Sequence, residues 1–195
     1  MSGSISGRGP ADRHRAISER FAAVTRAVTD WEGPSPVPEW TARGVVDHLQ
    51  WFRGFLTGGA GVSLPEGPSV ADDTVGAWTV QAAAVKALLD DPATAQRVLS
   101  NPHIGDLPLP DAVDRFYTTD VFLHTWDLAR AAGVDPGLDP AHCEELLAGM
   151  SSIEDMLRAS GQYGPAMPVA ADAPAQDRLA AFIGRDPSWR APGTV

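Results

Sequence analysis

Apolar residues recur at spacings of three and four along most of the chain, which is the pattern of helices with one buried face. Between Asp12 and Trp31 the stripe is Ile17, Phe21, Val24 and Val28, and Gly33-Pro34-Ser35-Pro36 with Pro38 ends it. Thr41 is placed to cap a second helix in which Val45, His48, Leu49, Phe52 and Leu56 share a face, with Gly58 and Gly59 as its stop. Ser69 and Asp72 read as a capping box with Asp in place of Glu, opening a third helix through Trp78, Ala82, Val85 and Leu89 that Asp91-Pro92 closes. From Ala93 to Pro110 the prolines and glycine predict an irregular crossover, with a short extended piece around Val98.

The fourth helix, Asp111 to Ala132, is the most regular. Val113, Phe116, Asp120, Leu123, His124, Leu128 and Ala131 fall on one face, and Gly133 supplies the C-cap. Asp139-Pro140 opens a fifth helix carrying Leu146, Leu147, Ile153 and Leu157, and a last short one runs from about Ala175 to Ile183 and ends at Gly184. The expected fold class is all-α: a four-helix bundle with an additional short C-terminal helix and little or no sheet. Residues 1–10 read as a mobile N-terminal tail, 11–160 as the bundle, and 161–195 as a C-terminal segment packed on it.

Composition narrows the function classes. The formal net charge is −10 with no basic cluster, so neither nucleic acid nor an anionic membrane surface is expected as a partner. Of the 15 basic residues only Lys86 is lysine, and alanine, glycine and proline are plentiful, as in a high-GC bacterium. Cys143 is the single cysteine, which rules out an intramolecular disulfide. The Ser/Gly-rich start lacks the apolar stretch of a signal peptide and no segment has the length of a membrane span, so a cytoplasmic protein, monomer or homodimer, is expected.

The candidate chemistry lies on the helix faces. A histidine on an apolar stripe is ordinarily a satisfied core residue. Asp120 alters that reading for His48 and His124, because a carboxylate on a core face costs several kcal/mol unless it is paired, and no arginine or lysine lies one turn away. Asp120 and His124, four residues apart, stack on one helix surface, and His48 projects from the equivalent stripe of another helix. Two imidazoles and one carboxylate suit a divalent ion, zinc first, with nickel, iron and manganese as alternatives, and leave coordination positions open. A buried Asp–His hydrogen bond with an unrelated His48 is the competing reading. Asp127 is a candidate to orient a ligand from behind, or a solvent-facing or interhelical charge. His14, His103 and His142 read as solvated, Cys143 as packing, and Trp51, Phe52, Trp78 and Phe116 as core or pocket wall.

Trp40-Thr41-Ala42-Arg43-Gly44-Val45-Val46-Asp47-His48-Leu49 resembles an element of the DinB-like metal-binding bundles, in the actinobacterial branch that includes mycothiol-dependent maleylpyruvate isomerase. The stretch from Asp120 to Ala129 is similar to that branch's second element, and Gly184-Arg185-Asp186-Pro187-Ser188-Trp189 to its closing segment. The resemblance runs from about Asp12 to Trp189 and implies a three-ligand divalent metal site at His48, Asp120 and His124. Asp120 stands where many relatives carry His or Glu.

The resemblance further implies a mycothiol-dependent S-transferase or isomerase, in which the metal stabilises the deprotonated sulfur of a low-molecular-weight thiol that attacks a small electrophile. Two alternatives share the ligand set: a non-haem iron enzyme with a two-histidine, one-carboxylate triad, and a metal-binding or regulatory protein without turnover.

Overall fold

The computed structural model describes residues 3–192, so Met1, Ser2 and residues 193–195 lie outside the described residues. The fold is mostly helical. Its helices are α1 (Pro10–Thr25), α2 (Ala42–His48), α3 (Trp51–Ala60), α4 (Thr74–Asp90), α5 (Leu109–Ala112), α6 (Thr119–Ala131), α7 (Pro140–Ser151), α8 (Glu154–Ala159) and α9 (Ala175–Phe182). The two strands, β1 (Val98–Asn101) and β2 (Gly105–Pro108), form an antiparallel hairpin with Leu99 opposite Leu107.

The four-helix arrangement consists of α1, the α2–α3 pair, α4, and the run from α5 to α6, with α1 packed on both α4 and α6. Phe21 of α1 and Trp78 of α4, both fully buried, meet with ring centroids 4.3 Å apart. All residues from Val121 to Ala129 are buried, so α6 is the central element of the molecule. On its far side α9 docks through the Arg130–Asp177 ion pair, and α7 docks through His142, whose ring meets Phe122 edge-on at 4.9 Å.

Helix ends differ from the pattern-based expectation where local hydrogen bonding intervenes. α1 stops at Thr25 rather than near Trp31, because the Asp30 carboxylate takes the Glu32 and Gly33 N–H groups into a turn of its own. The second predicted helix is two helices. Its chain turns tightly at Leu49 and Gln50, and the Leu49 carbonyl is satisfied by the Gln81 amide of α4 at 3.2 Å.

Gly58 and Gly59 lie inside α3 instead of ending it. A Cβ on Gly59 would stand 2.9 Å from Leu99 Cγ, so this glycine permits the close approach of β1, and the helix ends at left-handed Gly61. Ser69 and Asp72 bond to each other ahead of α4, whose cap is Asp73, accepting from the Gly76 N–H at 2.8 Å. The fifth predicted helix is also two, α7 and α8, broken where the Ser152 hydroxyl bonds the Gly149 carbonyl and Ile153 leaves helical geometry. The irregular crossover contains the β1–β2 hairpin, which rests on α3 through fully buried Leu99.

Between α5 and α6 the helix winds one π-turn, Val113–Thr118, which carries Tyr117 and Thr118 inward. His14 and His142, expected to be solvated, are buried, whereas His103 is exposed. His14 is held by the Thr118 hydroxyl at 2.9 Å and the Ser18 hydroxyl at 3.0 Å, and His142 by Glu145 at 3.0 Å. The segment before α1, read from composition as a mobile tail, lies against the start of α7. Ile5 is buried, and the Asp139 carboxylate that caps α7 also accepts from Ser4 Oγ and the Ile5 N–H.

Two measurements check this packing. Asp73→Ala is expected to lower stability in urea unfolding by about 1 kcal/mol, whereas Asp72→Ala changes it by less than about 0.5 kcal/mol. Equal losses would contradict the assignment of the cap. Burial pushes the His14 imidazole down to about 4, so the unfolded chain takes up its proton first as the pH falls below the ordinary value of 6.5. Stability should therefore fall between those two values, with a slope approaching about 1.4 kcal/mol per pH unit. His14→Gln removes that slope; the same pH dependence in both proteins would show that another group is its source.

Candidate functional site

His48 is the last residue of α2 and Trp51 the first of α3, so the break between the two helices turns both side chains towards one point on α6. At that point stands Asp120. Its Oδ2 lies 3.2 Å from His48 Nε2 and accepts from the Trp51 indole N–H at 2.8 Å. Its Oδ1 lies 3.4 Å from His124 Nε2, one turn along the same helix. Ligand atoms of His48, Asp120 and His124 all fall within 4.8 Å of one another. The three residues singled out in the sequence are thus brought together.

Their surroundings are graded. The His124 side chain is 8% exposed, Asp120 21% and His48 32%, so the cluster is closed at its base and opens towards solvent on the His48 side. Trp40 covers the two imidazoles, with ring centroids 4.8 Å from His48 and 5.7 Å from His124. Its placement follows a turn at Glu39, whose φ of 67° is the only positive value at a non-glycine residue among the described residues.

Behind His124 the chain of contacts continues inward. Its Nδ1–H donates to Asp127 Oδ2 at 2.8 Å, and the Asp127 side chain is fully buried. That contact fixes the ring and directs Nε2 at the cluster, as second-tier carboxylates do for metal-binding histidines. Asp127 is therefore not solvent-facing. The Arg185 guanidinium neutralises it, with Nε 2.9 Å from Oδ1 and Nη2 3.1 Å from Oδ2.

The electrostatics follow from this order of charges. Burial opposes the ionised form of Asp120, but the neighbouring His124 and His48 outweigh it and hold the carboxyl well below the usual range. Burial likewise opposes a charged His124, yet the Asp120 and Asp127 carboxylates prevail and raise it to about 9. Asp127 is held low despite its burial by His124 and Arg185. Cys143 is buried and pushed up to about 12 by desolvation, so the chain's one thiol is inert at neutral pH.

The donor types and spacing fit a divalent cation: two imidazole nitrogens and one carboxylate, one imidazole already fixed through its second nitrogen, the open side facing solvent. Sequence patterns alone did not single out Trp51 as a partner of Asp120, nor Arg185 as the counter-charge of Asp127. For Trp51 the available signal was its position three residues after His48, and for Arg185 the closing Gly184-Arg185-Asp186-Pro187 motif.

An ion entering this cluster has to displace the proton held by His124. About one proton should be released per zinc ion at about pH 7.5, and affinity should weaken roughly tenfold for each pH unit below 9. Calorimetric titration in two buffers of different ionisation enthalpy measures the release; zinc uptake with no proton released would contradict the charge state given to His124.

The model of the mycothiol maleylpyruvate isomerase N-terminal domain matches residues 14–129, which span His48, Asp120, His124 and Asp127. Two curated proteins described as uncharacterized, from two strains of Mycobacterium tuberculosis, are each 30% identical over 181 residues, covering 90% of this chain and 97% of theirs. No solved structure matches significantly. No helix among the described residues is long and apolar enough to cross a membrane. By the domain match over more than half its length, the chain belongs to the mycothiol maleylpyruvate isomerase N-terminal domain family, a family of DinB-like helical bundles.

Proposed function

We propose that this protein binds one divalent metal ion, zinc in the first instance, through His48, Asp120 and His124, and uses it to transfer or isomerise with mycothiol as the thiol. The observation that carries the reading is the convergence of the three donors on one point, with His124 fixed from behind by Asp127. When bound, a divalent ion with one carboxylate and two neutral imidazoles keeps net positive charge and favours the deprotonated form of a thiol.

The chain's own residues prepare that environment. Asp127 keeps the Nδ1 proton of His124 in place, so that the proton an entering ion displaces is the one on Nε2 and the lone pair it frees faces the cluster. The Trp51 N–H occupies one lone pair of Asp120 Oδ2 and limits rotation of the carboxylate. Trp40 shields the imidazoles from bulk water on one side. Because Cys143 is buried and unreactive, the nucleophilic sulfur has to come from a small external thiol. Attack on an electrophilic carbon with loss of a leaving group gives a thioether, and reversible addition to a conjugated double bond gives isomerisation.

The test uses protein purified without a nickel column, assayed for metal and for conjugation of mycothiol with monobromobimane. Wild type is expected to carry close to one ion per chain and to accelerate the conjugation over its metal-free form. His48→Ala should lose most of the metal and the acceleration while keeping its helical circular dichroism, because the substitution removes a partly exposed ligand rather than core volume. Equal metal occupancy in the two proteins would refute the ligand assignment, and metal-loaded wild type with no acceleration would refute thiol transfer to this electrophile.

A further inference from the structure

We propose that Arg185 is a positioning residue for the metal site, acting through Asp127 on His124, so that the C-terminal segment sets the affinity of a site whose donors all lie in the bundle. The inference rests on the reading of His124 as a ligand. It concerns a residue beyond the span 14–129 that the family model matches.

The geometry is a relay of three side chains. Arg185 grips both oxygens of Asp127 through Nε and Nη2, and Asp127 Oδ2 also takes the His124 Nδ1–H. Asp127 is fully buried, and a buried carboxylate without a counter-charge has to rotate towards water or take up a proton. Either change releases the His124 ring. A two-point grip on a planar carboxylate is the geometry in which arginine exceeds lysine, since one contact sets position and the second sets rotation.

The backbone around Arg185 is built to hold it there. Gly184 follows the last turn of α9 with φ 89°, and the Arg185 N–H returns to the Ala180 carbonyl at 2.9 Å, the closing bond of a left-handed helix cap. A Cβ on Gly184 would stand 2.9 Å from Gly164 Cα, so the turn packs against the loop leading into α9. The α9 helix is itself tied to α6 by the Arg130–Asp177 pair. Arg185 thus reaches Asp127 from a segment anchored independently of that contact. The pair is more than a fastening of the C-terminus.

Metal-free full-length protein, titrated with zinc in competition with a chelating dye, tests this. Arg185→Ala and Asp127→Asn should each weaken zinc binding by about 10–100-fold. The double variant should bind no more weakly than Asp127→Asn alone, because Arg185 has no route to the ion once Asp127 is neutral. Arg185→Lys, with a point charge and no fork, should fall between wild type and Arg185→Ala. As a control, Asp177→Asn loosens the docking of α9 by another contact and should lower the thermal midpoint while leaving zinc affinity within about twofold.

Arg185→Ala with wild-type zinc affinity and only a lower thermal midpoint would overturn the proposal, as would losses that simply add in the double variant. If Arg185→Ala fails to fold, Arg185→Gln enters the same cycle and decides it. Wild type that takes up no zinc would instead refute the ligand assignment itself, and the relay with it.

Discussion

A carboxylate pressed between two imidazoles is the constraint around which this bundle is arranged. Asp120 sits one-fifth exposed on the central helix, where an unpaired charge would cost several kcal/mol. Its compensation requires α2 to end at His48, α3 to restart at Trp51, and α6 to carry His124 one turn on. The requirement then passes inward: His124 needs a partner for Nδ1, Asp127 supplies it, and the buried Asp127 needs Arg185 in turn. Charges alternate from the solvent-facing end to the C-terminal segment. In the proposed metal-bound form a cation takes the place of the His124 proton.

Three irregularities of the fold lie beside this series of charges. The helix break at Leu49 and Gln50 and the left-handed turn at Glu39 both flank the cluster. The π-turn at Val113–Thr118 lies immediately before the helix that bears Asp120. Each departs from ideal helical geometry next to the chemistry, whereas α1 and α4, which only pack, are regular. Trp51, read as core or pocket wall, hydrogen-bonds Asp120, and Trp40 covers the neighbouring imidazoles.

Much of this was legible in the residues. The stripes of Ile17, Phe21 and Val24, and of Leu123 and Leu128, report faces that a single helix buries whatever its neighbours, so helix existence follows from periodicity. Asp120 and His124 share a face for the same local reason, and His48 was joined to them by its place on the equivalent stripe of another helix and by resemblance to the family that the domain match shows. What escaped the pattern depends on contacts distant in sequence. Gly59 belongs to a helix because β1 needs its missing side chain, and the break at Leu49 is tolerated because Gln81 satisfies the carbonyl. His14 looks polar in α1 until Thr118 arrives from the π-turn, and Arg185 meets Asp127 across 58 residues of chain. Periodicity carries no information about such partners.

The most direct test of the account is diffraction from zinc-soaked crystals of the full-length protein, recorded on both sides of the zinc absorption edge. One anomalous peak per chain is expected, bounded by His48 Nε2, an oxygen of Asp120 and Nε2 of His124, with Asp127 and Arg185 still in contact behind it. A peak elsewhere, or none among these three side chains, would contradict it.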